Sequence, residues 1–266
     1  PGVGALAPWQ ATFFVVAAPG IVLTAMLLLI REPARKGLKT GTTPVAVGYG
    51  DIVAWVRANH RVYVALLIGV PCIALVLYGL QAWIPTYLLR VHGMSLGEAG
   101  TQYGAIALIA GSLGVLSGPF VGRYLERRGH SDYQLRVCVM ALALIGPGLA
   151  ALAVAPSAGT ALVCIAVVSY LVPLPLALVA TALQSATPNQ MRGVLVGAYV
   201  VTNNVIGLAF GPSMVALATD YLFRDPAAVG KSLALVGVIV SLVGIFLIGR
   251  ALEPYRVLLE AHGVDH

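Results

Sequence analysis

Residues 137–191 read VCVMALALIGPGLAALAVAPSAGTALVCIAVVSYLVPLPLALVATALQSATPNQM, 55 consecutive positions without an Asp, Glu, Lys or Arg. A bilayer core of about 30 Å takes about 20 apolar residues as a helix, so this stretch holds two crossings. The break falls at Ala155-Pro156-Ser157-Ala158-Gly159, where Pro, Ser and Gly interrupt an otherwise aliphatic run. Outward from it, five more uncharged stretches run from Pro1 to Ile30, Val62 to Leu89, Ala99 to Gly122, Gly193 to Thr219 and Ser232 to Gly249. Each is 18 to 30 residues long and holds one span. The sequence therefore predicts an all-α membrane protein with seven transmembrane helices.

Composition agrees. Of 266 residues, 59% are apolar and 10% charged, against roughly 25% charged in an average soluble domain. Cys72, Cys138 and Cys164 all lie inside apolar stretches, where a thiol is a small hydrophobe. No disulfide framework, metal site or cofactor is expected from them. No basic nucleic-acid face is visible, so no nucleic-acid partner is expected. The chain opens with Pro and has no basic segment ahead of its first apolar run, so no cleavable signal peptide is visible, and the missing Met suggests a fragment.

The Lys and Arg residues set the orientation. Thirteen of the 16 fall in one set of connections: Arg31, Arg35, Lys36, Lys39, Arg57 and Arg61; Arg123, Arg127, Arg128 and Arg136; Arg192; Arg250 and Arg256. The opposite set holds Arg90, Arg224 and Lys231. The basic-rich side is cytoplasmic, which puts the first residues outside and the C-terminus inside. The net charge of +6 is then an orientation signal. Within the long connection 31–61, Asp51 to Arg61 reads as a short surface helix with Ile52, Val53, Trp55 and Val56 on its apolar face.

The ends of the first and seventh spans share a pattern, Glu32-Pro33-Ala34-Arg35 and Glu253-Pro254-Tyr255-Arg256. At each cytoplasmic exit the Pro is expected to stop the helix, with the Arg at the headgroup level. Spans one and seven are six apart, as expected of a six-helix repeat unit, and parallel six-helix halves are a transporter architecture. The chain then holds the last helix of one repeat and the whole of the next, with about five spans absent.

Two motifs carry a resemblance. One is Ser95-Leu96-Gly97-Glu98-Ala99-Gly100 with Gly104, Gly111, Gly114 and Gly118, leading to Arg123-Tyr124-Leu125-Glu126-Arg127-Arg128-Gly129. The other is Thr187-Pro188 and Arg192-Gly193 followed by Asn203-Asn204, Gly207 and Gly211-Pro212. Together they resemble the major facilitator superfamily, and within it the bacterial relatives of spinster-type transporters. Gly118, Arg123, Arg127 and Arg128 match the family's gating motif between helices 8 and 9, whereas Gly122 stands where the family has Asp. Pro1-Gly2-Val3-Gly4 is similar to the tail of its helix 5. The resemblance implies helices 6 to 12, the C-terminal six-helix half plus the last helix of the N-terminal half. Residues 1–30 are then the end of the first half, 31–61 a cytoplasmic linker, 62–252 the six-helix bundle and 253–266 a cytoplasmic tail.

It also implies a secondary transporter in a bacterial inner membrane, working by alternating access on a small organic solute, amphipathic or anionic. Proton coupling would come from acidic residues of the missing half. The expected partners are that half, the solute and the lipid bilayer. The residues offer candidates. No Asp, Glu, Lys or Arg lies inside an uncharged stretch, so this half shows no coupling site. All five His residues fall in connections or the tail. Near mid-depth of the sixth span, Tyr199 and Asn203 share a face at i, i+4, and Asn204 points about 100° away. These amides either contact substrate or tie helices together, and both readings stay open. The fifth span carries Ser169, Tyr170, Pro173 and Pro175, and two prolines two apart break a helix. By resemblance, Tyr78, Gln81 and Tyr170 lie on the cavity-lining helices 7 and 10. Trp83 and Tyr87, closer to the interface, read as an aromatic belt. Ala110, Gly114, Gly118 and Gly122 form a small-residue seam, expected to receive helix 5 of the missing half.

The alternative is a seven-helix receptor or photoreceptor. Against it, the seventh span has no Lys to hold retinal and no Asn-Pro-x-x-Tyr, and no outer cysteine pair exists. Enzyme motifs are absent as well, with no paired Asp, His-Glu-x-x-His or Gly-x-Ser-x-Gly.

Overall fold

A computed structural model describes residues 48–261, together with the helical positions 13, 17, 19–21, 23, 24 and 26. The chain divides into two units, Pro1–Ala46 and Val47–His266. In the first, the Thr24 hydroxyl donates to the Gly20 carbonyl at 2.8 Å. The readings of Pro1 to Gly4, of Glu32 to Arg35 and of the linker up to residue 47 lie outside the described residues, as does most of the first span.

The second unit is helical wherever the charge-free stretches lie. We label α1 Tyr49–Ala58, α2 His60–His92, α3 Leu96–Arg127, α4 Tyr133–Ala153, α5 Ala158–Ser185 and α6 Arg192–Phe223. The chain ends on α7, Val229–Gly249, and α8, Leu252–Ala261. Among the described residues six helical stretches are long and apolar enough to cross a membrane. The 55-residue stretch divides between α4 and α5 as expected: the Ser157 hydroxyl caps α5 by accepting from Thr160 N–H at 3.3 Å. Ser95 and Glu98 cap α3 reciprocally, hydroxyl to the Glu98 N–H and carboxylate to the Ser95 N–H. Gly93, at φ +66°, ends α2 in the left-handed conformation that glycine adopts without strain.

In lipid, helices gain little hydrophobic drive toward one another, so close packing decides which neighbours meet. Gly237 of α7 lies under Leu149 of α4, and Gly244 under Leu142. Gly211 of α6 meets the backbone of α2 at Leu75 and Gly79. A buried pair, Thr219 hydroxyl to Ser232 hydroxyl at 2.8 Å, ties α6 to α7. Wide helical turns at Ala65–Gly69 and Val205–Phe210 precede Pro71 and Gly211-Pro212.

Three expectations need correction. The seam on α3 is filled from within the chain. A Cβ on Gly114 would overlap the Tyr170 carbonyl oxygen, one on Gly118 the Leu174 carbonyl oxygen, and one on Gly122 would crowd Leu178 and Tyr133. The partner is α5 at its proline break, because broken backbone has carbonyls free to press onto glycine. Trp83 and Tyr87 are not a belt: the Trp83 indole N–H donates to the Pro212 carbonyl at 2.9 Å, and the buried Tyr87 hydroxyl donates to the Leu152 carbonyl at 2.9 Å. Each ties α2 to a neighbour. Pro254 does not stop a helix but sits in the first turn of α8, where a missing N–H costs nothing. α8 then packs back, with Tyr255, Leu258 and Leu259 buried.

Candidate functional site

The helix breaks have a common consequence. A proline at position i removes the donor for the carbonyl of residue i−4. Pro85 in α2 frees the carbonyl of Gln81, Pro119 in α3 that of Val115, and Pro173 in α5 that of Ser169. All three of these residues line one cavity of about 560 Å³ between α2, α3 and α5. It lies near the middle of each helix, at the depth where an uncompensated acceptor is most costly. The wall adds the polar side chains of Gln81, Tyr103, Ser112 and Ser169, among Leu, Val, Ala and Gly. None of its lining residues carries a charge. Gly111 keeps the wall open where α3 faces the Ser169 carbonyl, since a Cβ there would stand 3.9 Å from that oxygen.

The break in α5 is built by its own sequence. The helix runs regularly to Leu171, turns through Val172 to Pro175, and resumes at Leu176. Val172 N–H still reaches Val168 at 3.0 Å, and Leu176 N–H reaches only back to Pro173. Ser169 and Tyr170, one step apart in the regular helix before the turn, point about 100° apart, Ser169 to the cavity and Tyr170 to another groove.

Of the residues singled out from sequence, Gln81 lines the cavity and is exposed to it. Tyr78, one turn earlier, lies against Gly207 of α6, where an added Cβ would come within 2.8 Å of the ring. Tyr170 receives a hydrogen bond from the Ser117 hydroxyl at 2.8 Å and borders a separate apolar groove with Leu144 and Pro147. On α6 the Tyr199 hydroxyl donates to the Asn203 side-chain oxygen at 3.4 Å, and exposed Asn204 donates to the Val200 carbonyl at 2.8 Å. None of these five lines the cavity. Ser112 and the three freed carbonyls did not come from the sequence reading, which named Ser169 only as part of the broken fifth span, although the i, i+4 spacing to proline was there to be read.

The gating-motif residues gather at the other end of α3. Arg123 stacks over Phe120 at 4.9 Å and Arg128 over Tyr124 at 4.5 Å, while Gly118 is the contact with α5 already described. Arg127 is exposed beside them. A fully buried carboxylate at this end is Asp132, which accepts from Arg136 Nε at 2.7 Å and faces Arg256 of α8 at 3.6 Å. Arg256 also reaches Glu253 at 3.5 Å. With Gly122 in the motif position, the buried acid at the start of α4 pairs with Arg136 and Arg256, which lie outside the motif. Among the described residues no group of His, Cys, Asp or Glu is placed to hold a metal ion.

The family model described as Major Facilitator Superfamily matches residues 1–212. The chain belongs to that superfamily. An MFS-type efflux pump of Mycolicibacterium smegmatis is 29% identical over 255 residues, covering 93% of this chain and 57% of the pump. Protein spinster of Drosophila melanogaster is 30% identical over 128 residues, covering 45% of this chain and 21% of that protein. A bacterial homologue of the human lysosomal transporter Spinster, solved in an inward-facing and unoccupied conformation, has a TM-score of 0.63 at 21% identity. The match covers 95% of this facilitator chain and 60% of the solved one, and at that identity it concerns the fold. The same homologue in its occupied conformation gives 0.56. The chain thus spans somewhat over half the length of the pump and of the solved homologue, and its match to Protein spinster is shorter.

Proposed function

We propose that the chain forms the C-terminal six helices, with one helix preceding them, of a secondary transporter that moves a small amphipathic organic solute by alternating access. The missing N-terminal half would supply the opposing wall and the acidic residues for proton coupling. The protein would sit in a bacterial inner membrane with its C-terminus in the cytoplasm, by the excess of Lys and Arg on that side. The observation that carries the reading is the uncharged mid-depth cavity lined by Gln81, Val115 and Ser169, three residues whose carbonyls lose their helical donor to a proline four positions on. Its apolar wall suits the body of an amphipathic solute, while Gln81, Ser112 and Ser169 offer hydrogen bonds at fixed positions. An anionic solute would meet its counter-charge in the other half, since this wall has none. The efflux pump and spinster relatives support the transport class. A seven-helix receptor is disfavoured by the same relatives.

The test uses the complete transporter in proteoliposomes under an imposed pH gradient, with a fluorescent amphipathic dye as probe. Gln81→Ala and Ser112→Val are each expected to lower transport by about tenfold, the loss of one or two buried hydrogen bonds, with the melting temperature unchanged. Unaltered transport in both would remove the cavity from the reading. A dye flux indifferent to the gradient would remove proton coupling.

A further inference from the structure

A second cavity, of about 540 Å³, lies at the end of the bundle where α2 begins and α7 passes into α8. Two of its lining residues are Arg61, on the first turn of α2, and Arg250, at the end of α7. Both are exposed, and neither is paired with a carboxylate among the described residues. Arg250 is held over the Phe246 ring at 5.3 Å. Glu253 also borders the cavity, and Arg256 neutralises it at 3.5 Å. Asn59, whose side-chain amide donates to the Trp55 carbonyl, also lines it, and the rest of the wall is apolar: Pro254, Val257, Leu258 and Ala261, at i, i+3, i+4 and i+7, present one face of α8.

The two arginines stand at the heads of two apolar stripes. On α2, Val64 and Ile68 follow Arg61 at i+3 and i+7, 38% and 45% exposed. On α7, Phe246 and Val243 precede Arg250 at i−4 and i−7, 59% and 45% exposed. The helices run in opposite directions and touch at Gly69 and Ile248, so both stripes lead from the arginines into the membrane. A bare anion would use the charges and leave the apolar face of α8 and both stripes wet or lipid-facing. An anionic amphiphile uses all of them.

We propose that this corner is a binding site for an anionic phospholipid, whose phosphate sits between Arg61 and Arg250 and whose acyl chains follow the two stripes. Two guanidinium groups match the oxygens of a phosphodiester, and basic pockets between helices at a membrane surface are suited to acidic headgroups. The site stands apart from the transport cavity and does not depend on it.

The experiment takes the complete protein in nanodiscs of equal phosphatidylglycerol and phosphatidylethanolamine, and reads lipid retained after detergent release by native mass spectrometry. The unmodified protein should keep phosphatidylglycerol over phosphatidylethanolamine by about tenfold or more, and the double variant Arg61→Gln/Arg250→Gln should lose that preference. The charge-matched control Arg224→Gln/Lys231→Gln, at the opposite end of the bundle, should keep it. Val257→Glu, which places a negative charge on the open floor with both arginines intact, should lose it too, and serves if the double variant fails to fold. Equal retention of the two lipids overturns the proposal. So does displacement of phosphatidylglycerol by inorganic phosphate alone, or an equal loss in the control.

Discussion

Helices α3 and α4 have similar mean hydropathy, 1.8 and 2.0 over their most apolar windows, yet 11% of that window is buried in α3 and 50% in α4. α6 behaves like α3, at 11%. Apolarity therefore says that a helix enters the membrane, and the placing of small residues says what it packs against. Gly230, Gly237 and Gly244 recur every seven residues along α7, and each receives a large side chain: Tyr87, Leu149 and Leu142. On α3, Gly114 and Gly118, four apart, admit the backbone of α5. The opposite face of α3 carries Leu113 and Phe120, both more than half exposed, with Arg123 stacked over the Phe120 ring.

The backbone contact is the stiffest part of this contrast. Gly118→Leu on α3 would drive its side chain into the Leu174 carbonyl, which sits in a turn fixed by Pro173 and Pro175. A loss of about 3 kcal/mol or more is expected, read as collapse of folded yield in detergent. Gly104→Leu, with nothing within 4 Å, should leave yield intact and is the control. The side-chain contact is softer. Gly237→Leu on α7 meets the flexible end of Leu149, and a cost of about 1 to 2 kcal/mol is expected from the melting temperature. Equal damage from the two variants would break the distinction between them.

Asp132→Ala tests the end of the bundle where α3, α4 and α8 meet. Removing the buried carboxylate leaves Arg136 and Arg256 facing each other without it. Both arginines reach solvent, so the expected cost is about 2 kcal/mol, less than for a fully buried pair. The more specific readout is protease access to α8, which should rise because Arg256 is one of its anchors. Unchanged access would leave Tyr255, whose hydroxyl donates to the Ala182 carbonyl at 3.3 Å, as the anchor that matters.

The spans, their break at Pro156 and the cap at Ser157 were legible because charge and proline act locally. Gln81 was legible as a polar residue on an inner helix, and Tyr170 missed the cavity by one residue, since one step on a helix is 100°. The partner of the α3 seam was not legible. A stripe of glycines says that something comes close, and the identity of the visitor depends on which backbone is free to approach. Trp83 and Tyr87 misled for a related reason: an aromatic residue with a polar tip near the membrane surface suits the interface and an interhelical hydrogen bond equally well. Asp132 carries no local signal either, because Arg256, which joins it to α8, lies at the far end of the chain.

The smallest expected effect bears most directly on the open face. Phe120 is 65% exposed and Leu113 55%, on the side of α3 turned away from α5. If that face meets only lipid, Leu113→Ala removes side-chain contacts that lipid tails replace, and the melting temperature of the complete protein should hardly move. If the missing half of the transporter covers it, the same change leaves a cavity at a protein interface and costs about 1 to 2 kcal/mol, at the low end for a core truncation. The proposed architecture expects the second result. Ile239→Ala on α7, 51% exposed and placed away from Gly237, is the lipid-facing reference against which the shift is read. Matching shifts in the two variants would mean that α3 is open to lipid in the whole protein, and that the other half of the transporter packs elsewhere.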